Sequence, residues 1–168
     1  SSASSSGTRR DLQSVIANAA KRSGATPRLL DCFVAALLAM TAKTLTAPRP
    51  HDLDIAGLHL EGAWWGPSPD AAPTLVLLHE GLGCVGLWGD FPARLAEATG
   101  CGVFAYSRGG YGKSSAIPLP RPLSYMHDEA RETLPKILDR IGFRRGALVG
   151  HSDGASIAIV HAGAIADP

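Results

Sequence analysis

Two kinds of apolar pattern alternate along this chain. Thr74-Leu75-Val76-Leu77-Leu78-His79, Val103-Phe104-Ala105-Tyr106 and Ala147-Leu148-Val149 are short runs without polar alternation. A strand covered on both faces has that signature, so the runs predict a buried, parallel sheet. Between them the period lengthens to that of a helix. Leu87, Phe91, Leu95 and Ala98 share one face of a helix over 87–99, with Gly100 as its stop. Ala130, Leu134, Ile137, Leu138 and Ile141 form the apolar face of a second helix over 124–141. Ala155 to Val160 opens an alanine-rich third. Ahead of the first run, residues 53–65 alternate loosely and predict a short antiparallel hairpin. Strands and helices in this order give an α/β fold: a mostly parallel twisted sheet with helices on both faces.

The first 51 residues differ in kind. Ser1–Gly7 is of low complexity, and residues 1–51 carry seven Lys/Arg against Asp11 and Asp31, a net +5, which leaves −4 for the remainder. The chain therefore divides into 1–51, a basic Ser/Ala-rich helical extension or targeting segment, and 52–168, the α/β part. A helix is expected over 27–45, and Pro48-Arg49-Pro50 reads as a linker. The apolar stretch from Cys32 to Met40 is far short of the ~20 residues that a membrane span needs. A net charge of +1, with the acidic excess in the α/β part, gives no electrostatic footprint for nucleic acid there. Cys32, Cys84 and Cys101 lack Cys-x-x-Cys spacing, which argues for reduced thiols and against structural zinc. The expected location is cytoplasmic, with organelle targeting by the N-terminal segment also open.

Chemistry concentrates where the third buried run meets the third helix, at Gly150-His151-Ser152-Asp153-Gly154. A serine between glycines on a strand-to-helix turn is a nucleophile elbow: the turn is strained, and neighbouring side chains must be absent. The first run ends in His79-Glu80-Gly81-Leu82-Gly83, a loop whose backbone N–H groups can face an anion. The second ends in Ser107-Arg108-Gly109-Gly110-Tyr111-Gly112-Lys113-Ser114. Taken in order, these three motifs make residues 53–165 resemble the N-terminal half of an α/β-hydrolase-fold protein of the serine hydrolase type.

That resemblance implies a mechanism. Ser152 is the nucleophile, and the backbone N–H of Asp153 is one oxyanion donor. Either Gly81 or Leu82 supplies the second, because Glu80 adds one residue to the usual His-Gly. The substrate is a small molecule with an ester, thioester or related acyl bond, cleaved through an acyl-serine intermediate, and no cofactor is implied. Serine at this position disfavours epoxide opening, which the family assigns to aspartate. The family's chain order is Ser, Asp/Glu, His. After Ser152, however, this chain offers only His161 and Asp167, with His161 in mid-helix. The expectation is a chain truncated before its acid and histidine, inactive alone, with the sheet left for a missing C-terminal half to complete.

Other readings compete. A non-catalytic binding module of the same fold keeps Ser152 without using it. Gly81-Leu82-Gly83-Cys84-Val85-Gly86 matches the dinucleotide fingerprint of an oxidoreductase, but the strand 103–106 ends in no acid to hold a ribose. Gly112-Lys113-Ser114 hints at a P-loop. There Ser107 stands where a glycine is required, and Ile117-Pro118-Leu119-Pro120 denies the following helix.

Overall fold

The computed structural model describes residues 45–166. Its main sheet has five strands: β1 (Arg49–Pro50), β4 (Gly62–Trp65), β5 (Thr74–Leu78), β6 (Gly102–Tyr106) and β7 (Gly146–Gly150). Their order is β1-β4-β6-β5-β7. The centre β6-β5-β7 is parallel, and β4 and β1 are added antiparallel on one side. The three helices are α1 (Phe91–Thr99), α2 and α3 (Asp153–Ala166). α2 runs through Tyr125–Asp128, a π-helical turn over Glu129–Thr133, and Leu134–Arg140.

The apolar runs of β5 and β6 are largely buried because helices cover both faces. The third run, on β7, is half-buried at Leu148 and Val149 and exposed at Ala147, against the expectation of a buried strand. Val76, Leu78, Phe104 and Tyr106 point to one face, where they meet Ala130, Leu134 and Ile137 of α2 and Ile157 of α3. Their neighbours Leu77, Val103 and Ala105 point to the other and meet Ala93, Leu95 and Ala96 of α1. This is the period-two alternation of a strand, with each face given its own core.

Where helical periodicity and turn residues conflict, the turn residues decide. The helix expected over 87–99 begins only at Phe91, behind a separate 3₁₀ turn at Val85–Trp88. Gly89 adopts φ +56° and interrupts the run, and Pro92 stands at the start of α1, where its missing N–H is harmless. Gly100 closes α1 in the left-handed region, as expected. Within α2, Pro135 has no N–H to donate to the Arg131 carbonyl, and the π turn lies immediately before it.

Before the main sheet, the hairpin expected over 53–65 is shorter. β2 (Leu53–Ile55) pairs antiparallel with β3 (Leu58–Leu60) across Ala56-Gly57, both at positive φ. Residues 62–65 instead leave the hairpin as β4 and pair with β6. Pro48-Arg49-Pro50 is not a linker either: Arg49 and Pro50 form β1 on β4, and His51 N–H donates to the Gly62 carbonyl at 2.9 Å. A Cβ at Gly62 would collide with the His51 carbonyl, so the glycine permits this closure, and an edge strand tolerates proline. Most of the N-terminal segment, residues 1–44, lies outside the described residues. Among the described residues no helix is long and apolar enough to cross a membrane.

Candidate active site

Parallel strands β6, β5 and β7 end side by side, so the loops that follow them gather at one edge of the sheet. The loop after β7 is the tightest. Ser152 sits at φ +51°, a left-handed conformation that costs a non-glycine residue on the order of 1–3 kcal/mol. Its side chain is exposed. Both flanking glycines are sterically required. A Cβ at Gly150 would overlap the backbone of Gly154 and Ala155, and one at Gly154 would overlap the Leu78 carbonyl of β5. The chain turns at once into α3, with Gly154 N–H on the His151 carbonyl at 2.9 Å and Ala155 N–H on the Ser152 carbonyl at 2.8 Å. Ser152 thus stands at the N-terminus of a 14-residue helix, whose dipole favours negative charge there.

The loop after β5 is organised by His79, which is buried. Arg108 N–H donates to its Nε2 at 3.0 Å, so that nitrogen is the acceptor; Nδ1 therefore carries the proton and donates to the Glu80 carbonyl at 2.6 Å. Burial first, and then the Arg108 charge, lower its pKa to about 4. Arg108 itself donates to the carbonyls of His79 at 2.7 Å and Glu80 at 2.9 Å. The guanidinium of the second loop thereby fixes the root of the first.

Glu80, the extra residue of this loop, bridges to the elbow: its carboxylate lies 3.2 Å from Nδ1 of His151. The pKa of Glu80 is lowered by its own backbone N–H and then by His151. A Cβ at Gly83 would meet the Glu80 carboxylate at 2.7 Å, so that glycine makes room for the side chain to fold back. Gly81 lies against Asp153, where an added Cβ would be 3.0 Å from Oδ2, while the Leu82 side chain is 85% exposed. Asp153 does not cap α3 with its side chain. Its Oδ2 accepts the hydroxyl of Tyr125 at 2.6 Å, and this bond is the first cause of a raised Tyr125 pKa.

A second network supports the loops from behind. Ser107 Oγ accepts from Val85 N–H at 2.9 Å and donates to Glu61 at 2.7 Å; Glu61 also accepts Lys113 N–H at 3.1 Å. Arg121 lies 4.3 Å from the Tyr111 ring and donates to the Gly109 carbonyl at 2.6 Å. Tyr125 separates Asp153 from a cleft of about 200 Å³, whose walls include Leu58, Leu60, Ile117, Arg108 and Arg121. Ser152 is not among its lining residues.

Of the residues picked from sequence, Gly150, His151, Ser152, Asp153 and Gly154 make the elbow, and Gly81 is brought against Asp153. Glu61 and Tyr125 were not legible as site residues. Tyr125 carried one signal only, its place at the start of the amphipathic helix. Three of the described histidines are engaged elsewhere. His161 is buried with Nδ1 at 2.9 Å from the Ala130 carbonyl, His51 packs on Trp64 and Phe104, and His59 lies near Asp52 and Asp54.

A protein-family model described as alpha/beta hydrolase fold matches residues 73–164. No curated protein matches the sequence. Among solved structures, a candidate epoxide hydrolase from Pseudomonas aeruginosa is 28% identical with a TM-score of 0.57, over 73% of this chain and 39% of that one. A thioesterase domain from the curacin biosynthetic pathway is 27% identical with a TM-score of 0.59, over 71% and 42%. A bacterial membrane phospholipase A shares the fold at 23% identity and a TM-score of 0.60, over 92% and 47%. The chain thus spans about two fifths of the length of the first two.

Proposed function

The chain belongs to the alpha/beta hydrolase fold family, and from that premise we propose that it is the nucleophile-bearing part of a serine hydrolase acting on a small-molecule acyl compound. Ser152 Oγ attacks the carbonyl carbon of an ester, thioester or related bond. The carbonyl electron pair moves to oxygen, and this oxyanion is held by Asp153 N–H, by a donor from Gly81 or Leu82, and by the field of α3. Collapse expels the leaving group and leaves an acyl-serine, which water then hydrolyses. A histidine and an acid from outside the described residues take and return the proton.

The observation that carries the reading is the backbone at Ser152. A serine kept at φ +51°, with two flanking glycines that no other residue can replace without collision, is strain maintained at one exposed hydroxyl. Serine in place of aspartate separates this reading from epoxide opening. An epoxide hydrolase, a thioesterase and a phospholipase act on different bonds, so the acyl substrate is part of the proposal.

The test is covalent labelling of the intact protein with a fluorophosphonate and mapping of the modified peptide. Modification at Ser152, lost in Ser152→Ala, is the expected result. An unlabelled intact protein would sink the reading and leave the binding-module alternative. The 168-residue chain alone is expected to turn over no activated ester; turnover that Ser152→Ala removes would contradict that part.

A further inference from the structure

We propose that Tyr125 is a positioning residue for the oxyanion site, holding the Asp153 carboxylate away from the backbone N–H of Asp153 at the start of α3. The inference rests on the hydrolase reading and adds a residue that the elbow motif does not contain.

Asp153 brings two groups of opposite effect to one place. Its backbone N–H, at the first residue of α3, helps to bind a developing negative charge. Its side chain is itself an anion beside that same helix N-terminus. The N–H groups of Gly154, Ala155 and Ser156 already donate to the His151 and Ser152 carbonyls, which leaves the Asp153 N–H as the donor for an oxyanion. An Asp carboxylate can turn back onto its own N–H, and there it would occupy that donor and repel the developing charge.

The structure shows the carboxylate held elsewhere. Tyr125 Oη donates to Oδ2 at 2.6 Å, and Gly81 leaves the space into which that oxygen is drawn, since a Cβ there would lie 3.0 Å from it. Tyr125 is in turn fixed from its own side. Its N–H donates to the Pro122 carbonyl at 3.1 Å, and the Arg121 guanidinium, 5.7 Å from its ring, bonds the Gly109 carbonyl at 2.6 Å. The other polar side chains beside the nucleophile, Glu80 and His151, are paired with each other and offer Asp153 no replacement donor.

The experiment compares intact wild-type enzyme with Tyr125→Phe, Tyr125→p-aminophenylalanine and Tyr125→Phe/Asp153→Asn. Each is read by the fluorophosphonate labelling rate and by kcat and KM on an activated ester. Tyr125→Phe keeps the ring and loses the donor. Its labelling rate and kcat are expected to fall about tenfold, with KM within about twofold, the size of one charged hydrogen bond. Tyr125→p-aminophenylalanine keeps the ring, restores a donor at the same reach and recovers most of the loss. The double variant recovers it by removing the charge that Tyr125 restrains, which a loss of packing could not do.

Wild-type rates in Tyr125→Phe would overturn the inference, as would a double variant no faster than Tyr125→Phe. Should Tyr125→Phe fail to fold, the p-aminophenylalanine variant decides: a tenfold loss in that folded variant overturns the inference. Absence of labelling in the wild type would instead bring down the hydrolase reading, and this inference with it.

Discussion

The hydroxyl of Ser152 is presented at the expense of its backbone. A residue at φ +51° is favoured as glycine, so Ser152→Gly is expected to raise stability by about 1 kcal/mol while abolishing phosphonate labelling. Urea unfolding of the two proteins checks this; a less stable glycine variant would mean that the serine side chain makes contacts that outweigh the strain. His79 shows the same tension in protonation. Folding depresses its pKa from 6.5 to about 4, by burial first and the Arg108 charge second. Between those values the unfolded chain binds the proton and the folded one does not. The contribution of His79 is therefore complete above about pH 6.5 and is lost as pH falls toward 4, with an upper size on the order of 3 kcal/mol. His79→Gln can still accept Arg108 N–H through its amide oxygen but cannot titrate. Its unfolding free energy should fall less steeply than that of wild type from pH 7 to pH 4, and parallel curves would refute the assignment.

At the level of elements, α3 contains two glycines that test what the elbow requires. A Cβ at Gly154 would collide with the Leu78 carbonyl of β5, whereas one at Gly163 meets nothing within 4 Å. Gly154→Ala should cost about 3 kcal/mol or more, because backbone and not a flexible side chain must move. Gly163→Ala should stabilise by up to about 1 kcal/mol through helix propensity. Thermal melts of the two single variants would settle the contrast, and equal effects would mean that the helix start can slide away from β5. The elbow, the three parallel strands and α2 were legible because each rests on a local signal: an apolar run, a helical face, or a glycine spacing; the burial expected of β7 was not found. β1 was not, since a two-residue strand containing Pro50 has no hydrophobic pattern and depends on the gap at Gly62. The break at Gly89 was hidden by periodicity continuing through Leu87 and Phe91. Tyr125–Asp153 and Glu80–His151 were hidden for another reason: they join residues 28 and 71 positions apart, and no local pattern encodes such contacts.

Across the whole sheet, the two long sides are finished differently. On one side β4 and β1 close the parallel centre with short antiparallel strands, a proline at the rim and the hairpin β2–β3 near by. On the other, β7 pairs only with β5 among the described residues, and Ala147 on it is exposed. An edge without bulge, proline or charge offers its free N–H and C=O groups to any other strand. Two large apolar side chains of the adjoining α3, Ile159 at 73% and Ile165 at 66% exposure, add to the uncovered surface. The chain, which spans about two fifths of the epoxide hydrolase and thioesterase structures compared above, is therefore expected to self-associate when prepared alone. Sedimentation velocity over a concentration series measures this directly. Ala147→Lys places a charge on the strand edge and Ile159→Lys places one on the helix, so the two variants separate strand pairing from helix packing as the route. If Ala147→Lys alone restores a monomer, the edge of β7 drives association. If only Ile159→Lys does, α3 is the sticky surface. A wild-type chain that stays monomeric throughout would mean that the β7 edge is protected in solution, and the expectation would fail.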